Sequence, residues 1–352
     1  MEEKFAFESE EVSIVFYSIA GLGDAVIARK AFEAIIELVP NCVADFFCVS
    51  EAHNNYAKAF YSDIKNLNRL ISSQEYAENF KKYDLALCIG GCHVILFEYA
   101  NPRRLEAMAP NLLECMNRIE MYNRQNVYGL GPWKLTVAFR NMMSARILGK
   151  NYFWFMSCDG ALPIRDDNLH IPLNLDFKKE FDDLKLDKYI TIYVDTNAEE
   201  KNLPKVKSWP LRYYNEYIAR MKKRFPSVEI VQCGGGDEVK VAAADRHYLG
   251  VDLELTKYIL ANSLLLVGGE GGLVHLATFL GTKCLVLFGP NSFEYFGYDQ
   301  NINLVSDICQ PCMYIVPDFQ VCMRGNREAP CMLSHTPQNV CEVTCNYLKN
   351  KV

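Results

Sequence analysis

The sequence predicts an α/β protein made of two Rossmann-like, doubly wound parallel-sheet domains that face each other across a cleft. Continuous apolar runs alternate with segments of helical periodicity, which is typical of a parallel sheet covered by helices on both faces. This alternation starts twice, once at Val12 and again at Tyr189. In addition, 352 residues are more than one hydrophobic core usually serves, so two domains of ordinary size are expected.

The first series begins with an apolar strand at residues 12–18, which ends in a Gly-Leu-Gly-Asp turn followed by a helical pattern. Residues 159–187 are polar and irregular and contain two prolines. We therefore place the connection between the domains there and expect the first domain over residues 1–170. Two more strands of this domain are indicated by the apolar runs at residues 43–49 and 84–89.

The second series predicts a domain over residues 171–335, which includes a cysteine-rich loop at residues 309–331. Residues 336–352 are predicted to form a separate helix that starts near a proline and packs back on the first domain. Ligands of doubly wound sheets bind at the carboxyl ends of the strands, so we place the binding cleft there. The predicted strands of this series span residues 189–194, 228–233, 264–267 and 284–288, and its long helix spans residues 211–225.

The composition excludes several classes of protein. A formal net charge of −6 argues against a chain whose main task is to neutralise the phosphates of nucleic acid. The first ten residues lack the basic start and apolar run of a secretory signal, and no stretch approaches the roughly 18 to 20 apolar residues of a spanning helix. The fourteen cysteines then fit a reducing compartment. We expect a cytoplasmic protein with at most peripheral contact at the inner face of a membrane, and no nucleic-acid partner.

The most informative segment runs from Val267 to Pro290 and is predicted to form a strand, a glycine-rich turn, a helix, a strand and a turn. Four glycines around Glu270 let backbone amides approach a ligand closely, and the helix that follows points its positive end at a bound phosphate. Glu270 could accept hydrogen bonds from ribose or sugar hydroxyls. His275 could donate to a phosphate or pack beneath the loop. An ordinary βαβ unit is the alternative for the whole segment.

This segment resembles the donor site of glycosyltransferase family 9, the lipopolysaccharide heptosyltransferase-like family with the GT-B fold. That family has the pattern Asp-Thr-Gly-Leu-x-His-Leu-x-x-Ala followed by Phe-Gly-Pro. The chain departs from the pattern at Glu270, where the family commonly has aspartate, and at Gly271, where it commonly has threonine. The resemblance implies that Glu270, Gly271, Gly272 and His275 bind a nucleotide-sugar donor. The matching residues are Gly272, Leu273, His275, Leu276, Phe288, Gly289 and Pro290.

Gly23 and Asp24 resemble the Gly-Asp element of the same family. By similarity, Asp24 is the general base that takes the proton from the acceptor hydroxyl, and Gly23 lies on the acceptor side. The residues alone also allow Asp24 to be a helix N-cap, a position that aspartate fills very often. A dinucleotide site is weakly supported, because the third glycine of its fingerprint is replaced by Val26.

The element Lys207-Ser208-Trp209-Pro210 resembles the family's Lys-x-Trp-Pro element. The resemblance implies that Lys207 contacts the donor diphosphate. A lysine and helix amides aimed at that diphosphate would stabilise the charge of the leaving group without a metal. Trp209 and Pro210 fit packing and helix initiation.

Two further candidates follow the ends of predicted strands, where ligand groups gather in sheets of this kind. Thr196 follows the strand at residues 189–194 and is a candidate donor contact. His93 follows the strand at residues 84–89 and is a candidate acceptor contact. An ordinary turn histidine fits that position equally well.

Cys309, Cys312, Cys322 and Cys331 have the spacing C-x2-C-x9-C-x8-C, and some members of the family carry a similar cluster. Four thiolates with one close pair suit tetrahedral zinc or iron, so we predict a structural metal site. The chemistry itself is expected to need no cofactor. The alternative is four reduced cysteines packed in a long loop.

Together these features predict an inverting glycosyltransferase. The expected donor is a nucleotide-diphosphate sugar, a heptose by family resemblance. The acceptor is a hydroxyl of a surface glycan, a lipid-linked precursor or a protein, which Asp24 would deprotonate for attack on the anomeric carbon. Two other functions stay open, namely a nucleotide-sugar epimerase or hydrolase of the same fold, and a noncatalytic metal-binding or assembly protein.

Overall fold

The computed structural model divides the chain into two compact units. Unit 1 comprises Met1–Ala138 and Lys150–Pro172, and unit 2 comprises Phe139–Gly149 and Leu173–Val352. The division after Pro172 falls in the polar stretch in which we expected the connection between domains. The residues described are 10–19, 21–90, 94–128, 134–194, 206–315, 322–349 and 351–352.

Unit 1 is built on a five-stranded sheet. Its strands are β1 (Val12–Ser18), β2 (Cys42–Phe47), β3 (Leu67–Ile71), β4 (Leu85–Ile89) and β5 (Ile95–Ala100). The order across the sheet is β3-β2-β1-β4-β5, and only β5 runs antiparallel to its neighbour. The first helices of the chain are α1 (Leu22–Leu38), α2 (Glu51–Tyr61), α3 (Ser73–Asn79), α4 (Pro102–Met108), α5 (Pro110–Asn126), α6 (Lys134–Leu148) and α7 (Tyr152–Met156).

Strand β1 lies in the middle of this sheet and is followed along the chain by helix α1. Alanines on the inner face of α1, including Ala25, Ala28 and Ala31, are fully buried and let the helix approach the sheet closely. The rings of Phe16 and Phe32 pack together in the core that results. Asp24 lies in the first turn of this helix, just after its N-cap residue Gly21.

Unit 2 is built on a six-stranded sheet in which all strands are parallel. Its strands are β6 (Tyr189–Tyr193), β7 (Glu229–Gly234), β8 (Arg246–Leu249), β9 (Leu266–Gly269), β10 (Cys284–Phe288) and β11 (Ile302–Val305). The order is β11-β10-β9-β6-β7-β8. The remaining helices are α8 (Lys178–Asp183), α9 (Leu211–Arg224), α10 (Leu253–Ala261), α11 (Gly272–Phe279), α12 (Phe293–Phe296), α13 (Pro330–Leu333) and α14 (Pro337–Leu348).

The central strands of unit 2 bring the segments of the predicted donor site together. Every residue of β6, β9 and β10 is buried, as expected for strands covered on both faces. Because β9 lies between β6 and β10, the glycine-rich turn that follows β9 is flanked by the carboxyl ends of both neighbours.

The terminal helix α14 packs against α9. The hydroxyls of Tyr217 and Thr344 lie 3.2 Å apart, and both residues are fully buried. Val340 and Leu348 complete the apolar contact in the same core. The sequence led us to expect this helix against the first domain, whereas its described packing is within unit 2.

The predicted fold class is confirmed, and the strands that sequence reasoning missed are the four edge strands. Strands β3 and β5 border the sheet of unit 1, and β8 and β11 border that of unit 2. Most of their residues are only half buried or are exposed. They therefore lack the continuous apolar runs that marked the central strands.

Across the ranges described above, no helix combines the length and the apolar composition that a membrane span requires.

Candidate functional site

The turn after β9 leads directly into helix α11. Gly271 is the N-cap residue, and none of the side chains that the structure describes caps the first turn of the helix. The first amides of any helix have no partner within the helix, and they carry the positive end of its dipole. The amino end of α11 therefore presents backbone donors of the kind that bind phosphate groups.

A buried carboxylate lies at the centre of this turn. Glu270 is only 7% exposed, and its Oε1 lies 3.2 Å from Nε2 of His275. Its Oε2 accepts a hydrogen bond from the side-chain amide of Asn291 and lies 3.7 Å from the ammonium of Lys207. Lys207 also donates to the main-chain carbonyl of Glu270 at 3.1 Å. Both carboxylate oxygens are thus engaged by side chains of the protein.

These contacts keep Glu270 ionised. Burial alone would raise the pKa of its carboxyl group, but the charge of Lys207 and the hydrogen bonds from His275 and Asn291 outweigh it and lower the pKa to about 2. The interaction of Glu270 with a donor hydroxyl stays a prediction. Lys207, in turn, is held at the turn by two contacts with one residue.

His275 packs beneath the turn and is 4% exposed. Its Nδ1 lies 2.6 Å from the hydroxyl of Tyr298, while its Nε2 faces Glu270. Since an ionised carboxylate only accepts, Nε2 carries a proton and donates to it. In the neutral ring, Nδ1 then accepts from the hydroxyl of Tyr298. The described contacts of His275 are those of a residue that packs beneath the loop, so its contact with a donor phosphate also stays a prediction.

Gly271 is a glycine for reasons of space. Its φ of 171° is extended backbone that any residue adopts. A Cβ atom at this position, however, would lie 2.8 Å from Cε1 and 3.1 Å from the hydroxyl oxygen of Tyr193, the last residue of β6. The ring of Tyr193 therefore occupies the room that the family's threonine would need.

The Phe-Gly-Pro turn after β10 joins the site to the cysteine-rich loop. A Cβ atom on Gly289 would lie 3.1 Å from the sulfur of Cys331. The carbonyl of Pro290 accepts hydrogen bonds from the amides of Cys312 and Met313, both at 2.9 Å. The loop that carries the cysteines is thus fastened to the residue that precedes Asn291.

The four cysteines of the predicted metal site are neighbours. Burial and the charges of Cys309, Cys312 and Cys322 raise the pKa of Cys331 to about 12. Within the part of the chain that the structure describes, no group of three or more His, Cys, Asp or Glu side chains is arranged to hold a metal ion. The donor set suits zinc or iron chemically, but the sulfurs do not form a coordination sphere as they stand.

The other residues singled out in the sequence are Asp24, His93, Thr196 and Trp209. Asp24 is the third residue of α1 and is half buried beside Gly23 in the first turn. The N-cap of α1 is Gly21, so the interpretation of Asp24 as an N-cap is wrong. His93 and Thr196 lie outside the described residues. Trp209 is buried, and its indole donates to the carbonyl of His335 at 2.7 Å, as its predicted packing role requires.

Sequence reasoning missed three side chains of this site, namely Tyr193, Asn291 and Tyr298. Tyr193 ends a predicted strand, and Asn291 directly follows the Phe-Gly-Pro turn, so both positions were marked by the sequence pattern. Tyr298 lies in an irregular segment, and no local signal connects it with His275.

The site can be compared with known families. Residues 163–317 match the model of glycosyltransferase family 9 (heptosyltransferase). This range contains the glycine-rich turn, Lys207 and Asn291, and the resemblance seen in the sequence is confirmed for these residues. Gly23, Asp24, Cys322 and Cys331 lie outside the matched range. No curated protein matches the chain significantly.

Several solved structures of glycosyltransferases are similar to the whole chain. The ADP-heptose lipopolysaccharide heptosyltransferase II of E. coli is 15% identical, with 97% of this chain and 100% of that chain covered and a TM-score of 0.56. A family 9 glycosyl transferase from Veillonella parvula DSM 2008 is 14% identical, with 97% and 100% covered and a TM-score of 0.58.

A third similar structure is the iron-containing dodecameric glycosyltransferase TibC from enterotoxigenic E. coli H10407. It is 11% identical, with 97% of this chain and 77% of that chain covered and a TM-score of 0.60. At these identities the likeness concerns the fold, and it confirms the predicted GT-B class with two parallel-sheet domains.

The contact between Gly271 and Tyr193 predicts an effect on stability. Gly271→Ala is expected to lower the free energy of unfolding by about 1 to 3 kcal/mol, because the added methyl group overlaps the ring of Tyr193. In the double variant with Tyr193→Ala, the two losses should be less than additive. Denaturant unfolding measures all three proteins. Gly21→Ala, which meets no atom within 4 Å, is the control; additive losses in the double variant would contradict the assignment.

The low pKa of Glu270 predicts a pH dependence of stability. Its folded pKa of about 2 lies below the ordinary value of 4.5, so its contribution is present above pH 4.5 and is lost as the pH falls toward 2. The difference in unfolding free energy between wild type and Glu270→Gln should shrink by roughly 3 kcal/mol over that interval. Urea unfolding at several pH values measures it, and Glu78→Gln on the surface is the control. A constant difference would show that Glu270 is not held ionised.

Proposed function

We propose that this chain is an inverting glycosyltransferase that moves a sugar from a nucleotide-diphosphate donor to a hydroxyl of an acceptor. The observation that carries the proposal is the amino end of α11, where uncapped amides, Gly271 and the fixed ammonium of Lys207 adjoin one another. Such an arrangement suits a diphosphate.

The charges of the site favour departure of the diphosphate. When the bond to the sugar breaks, negative charge develops on the leaving phosphate. Lys207 is held in place before the reaction by the carbonyl and carboxylate of Glu270, so little reorganisation is needed to meet that charge. Because the ionised Glu270 offsets part of the lysine's charge, the amides of α11 supply an essential share of the stabilisation. No metal is required for this step.

The family match and the similar structures support a sugar donor of this kind. One structure of TibC contains ADP-D-β-D-heptose, and this structure has a TM-score of 0.61 with the chain. We therefore propose a heptose as the donor sugar. Glu270 and Gly271 differ from the family's aspartate and threonine at the turn itself, so donor selection is expected to depend on the neighbours of those two residues.

Asp24 is the proposed general base. It lies in the first turn of α1, and its carboxylate is a group that can accept a proton from a hydroxyl. It would take the proton of the acceptor hydroxyl as that oxygen attacks the anomeric carbon on the face opposite the diphosphate, which inverts the configuration. The proposed acceptor is a surface glycan, a lipid-linked precursor or a protein, reached from the cytoplasm with at most peripheral membrane contact.

A structural zinc or iron at the four cysteines is a separate part of the proposal. Its support is the C-x2-C-x9-C-x8-C spacing and the closeness of the four thiols beside the Phe-Gly-Pro turn. Bound metal would fix the loop against Pro290 and thereby against Asn291, and it would take no part in the transfer.

Two substitutions separate the proposed roles. Asp24→Asn should lower kcat by about 100- to 10,000-fold and leave donor affinity within about 3-fold, because only proton transfer is removed. Lys207→Met should weaken donor binding by about 10- to 100-fold, the effect of losing one charge-assisted hydrogen bond. Product formation and calorimetric donor binding measure the two effects.

Glu37→Gln on the exposed end of α1 and Lys223→Met on the exposed end of α9 are the matched controls and should behave as wild type. Unchanged turnover in Asp24→Asn would remove Asp24 from the base role. Donor consumption that needs no acceptor would favour an epimerase or hydrolase. Failure of every nucleotide sugar to bind would leave a noncatalytic protein.

The metal proposal predicts a defined metal content. Protein purified without oxygen should contain about one zinc or iron per chain, since four thiolates complete one tetrahedral site. Cys312→Ser should lose the metal and lower the melting temperature, whereas Cys48→Ser in unit 1 should keep it. Elemental analysis and thermal unfolding measure both. A content near zero in the wild type, with stability unchanged by chelators, would leave four reduced cysteines.

A further inference from the structure

Asn291 has one side-chain atom that the site leaves without a partner. The residue follows the Phe-Gly-Pro turn and is 2% exposed. Its Nδ2 donates to Oε2 of Glu270, but its Oδ1 is buried and accepts no hydrogen bond from any residue that the structure describes. A buried acceptor left in this state destabilises a protein by about 1 to 3 kcal/mol, so the fold does not gain from it.

The orientation of this amide is fixed by its neighbour. Glu270 is ionised and has only acceptor atoms, so the amide must present its nitrogen to it. Rotating the amide by 180° would set two oxygens against each other. The other oxygen of Glu270 already accepts from His275, so the carboxylate stays in place. Oδ1 of Asn291 therefore faces away from Glu270, because the two oxygens would repel each other.

We propose that Oδ1 of Asn291 accepts a hydrogen bond from one hydroxyl of the bound nucleotide sugar, which makes Asn291 a donor-selecting residue. This inference rests on the proposed function of the same site. The partner must be a hydrogen-bond donor, which excludes the oxygens of the diphosphate and points to a hydroxyl of the sugar or of the ribose. Both lie next to a diphosphate held at the amino end of α11.

The chemistry of such a contact gives strong selection. A site built to bind a hydroxyl rejects an analogue that lacks it, because the buried oxygen then stays unpaired in the complex. A neutral amide oxygen also selects without adding negative charge beside the donor phosphates. Asn291 would in this way bind one hydroxyl of the donor, while Glu270 fixes the orientation of the Asn291 amide.

The test is a series of deoxy donors. A panel of nucleotide sugars that includes ADP-heptose first identifies the one that binds most tightly, which is the parent. The parent is then compared with analogues that lack the ribose 2′-hydroxyl, the ribose 3′-hydroxyl or one sugar hydroxyl. In the wild type, one analogue should bind about 10- to 100-fold more weakly than its parent. The Asn291→Leu variant should bind the parent more weakly than the wild type does, by a similar factor. In this variant, the dissociation constants of the parent and of the same analogue should agree within about 3-fold. Calorimetry measures each dissociation constant.

Asn123→Leu is a matched control in unit 1. Asn123 is also fully buried, donates through Nδ2 to the carbonyl of Ile95 at 2.7 Å and leaves its Oδ1 without a partner. Its loss should lower stability and leave the order of the deoxy analogues unchanged. Asn291→Ser provides a smaller change at the site in case the leucine variant does not fold.

The inference can be overturned by the wild type, by the variants or by a structure of a donor complex. If no analogue loses more than about 3-fold, or if the variants keep the wild-type discrimination, Asn291 does not read the donor. An ordered water on Oδ1 in a donor complex, with no donor hydroxyl within hydrogen-bond distance, would have the same meaning. Either outcome leaves the glycosyltransferase proposal intact, whereas the absence of any donor binding would remove the proposed function itself.

Discussion

The buried charge of Glu270 is the constraint on which the rest of the site depends. A carboxylate that is 7% exposed is tolerated only if its partners compensate for the loss of water. The partners come from three other places in the chain: Lys207 before α9, His275 within α11 and Asn291 after β10. One ionised group thereby ties together segments that are separated by up to 84 residues of sequence between Lys207 and Asn291. Removing any partner would leave part of that charge uncompensated.

Close packing also connects the site to the cysteine-rich loop. The glycines in the two turns leave no room for larger residues. The ring of Tyr193 covers Gly271, and the side chain of Met332, with the sulfur of Cys331 beside it, fills the position of a side chain on Gly289. Pro290 then holds the loop by two main-chain hydrogen bonds. A shift of this loop would therefore move Asn291, so a metal at the cysteines would act on the site through position alone.

The sequence predicts those parts of the fold that depend on local interactions. The central strands are recognisable in the sequence, because strands such as β6 and β10 are buried on both faces and are therefore continuously apolar. The four edge strands are half exposed and carry no such run, and all four were missed. The alternative interpretation of Asp24 as the N-cap of α1 was wrong because the residues Gly21, Gly23 and Asp24 all suit a helix start, and the sequence does not say which of them caps it.

The candidate site divides in the same way. The glycine-rich turn and Lys207 were found because they form short motifs, each within a few residues of sequence. The pairing of Tyr298 with His275 and of Asn291 with Glu270 depends on how strands and loops meet in space. Sequence periodicity does not encode such long-range contacts. The structure was therefore needed to show that side chains of the protein bind the carboxylate of Glu270.

The two departures from the family pattern have separate causes that act on one function. Gly271 follows from Tyr193, whose ring fills the space of the threonine. Glu270 is one methylene longer than aspartate, and its carboxylate contacts His275 and Asn291 inside the protein. If the carboxylate is occupied there, the acceptor offered to a donor hydroxyl becomes the neutral oxygen of Asn291. Selection would then rest on an unpaired buried atom, whose penalty falls on a sugar that lacks the hydroxyl, and a carboxylate with a pKa of about 2 would keep that geometry fixed at any pH at which the protein works.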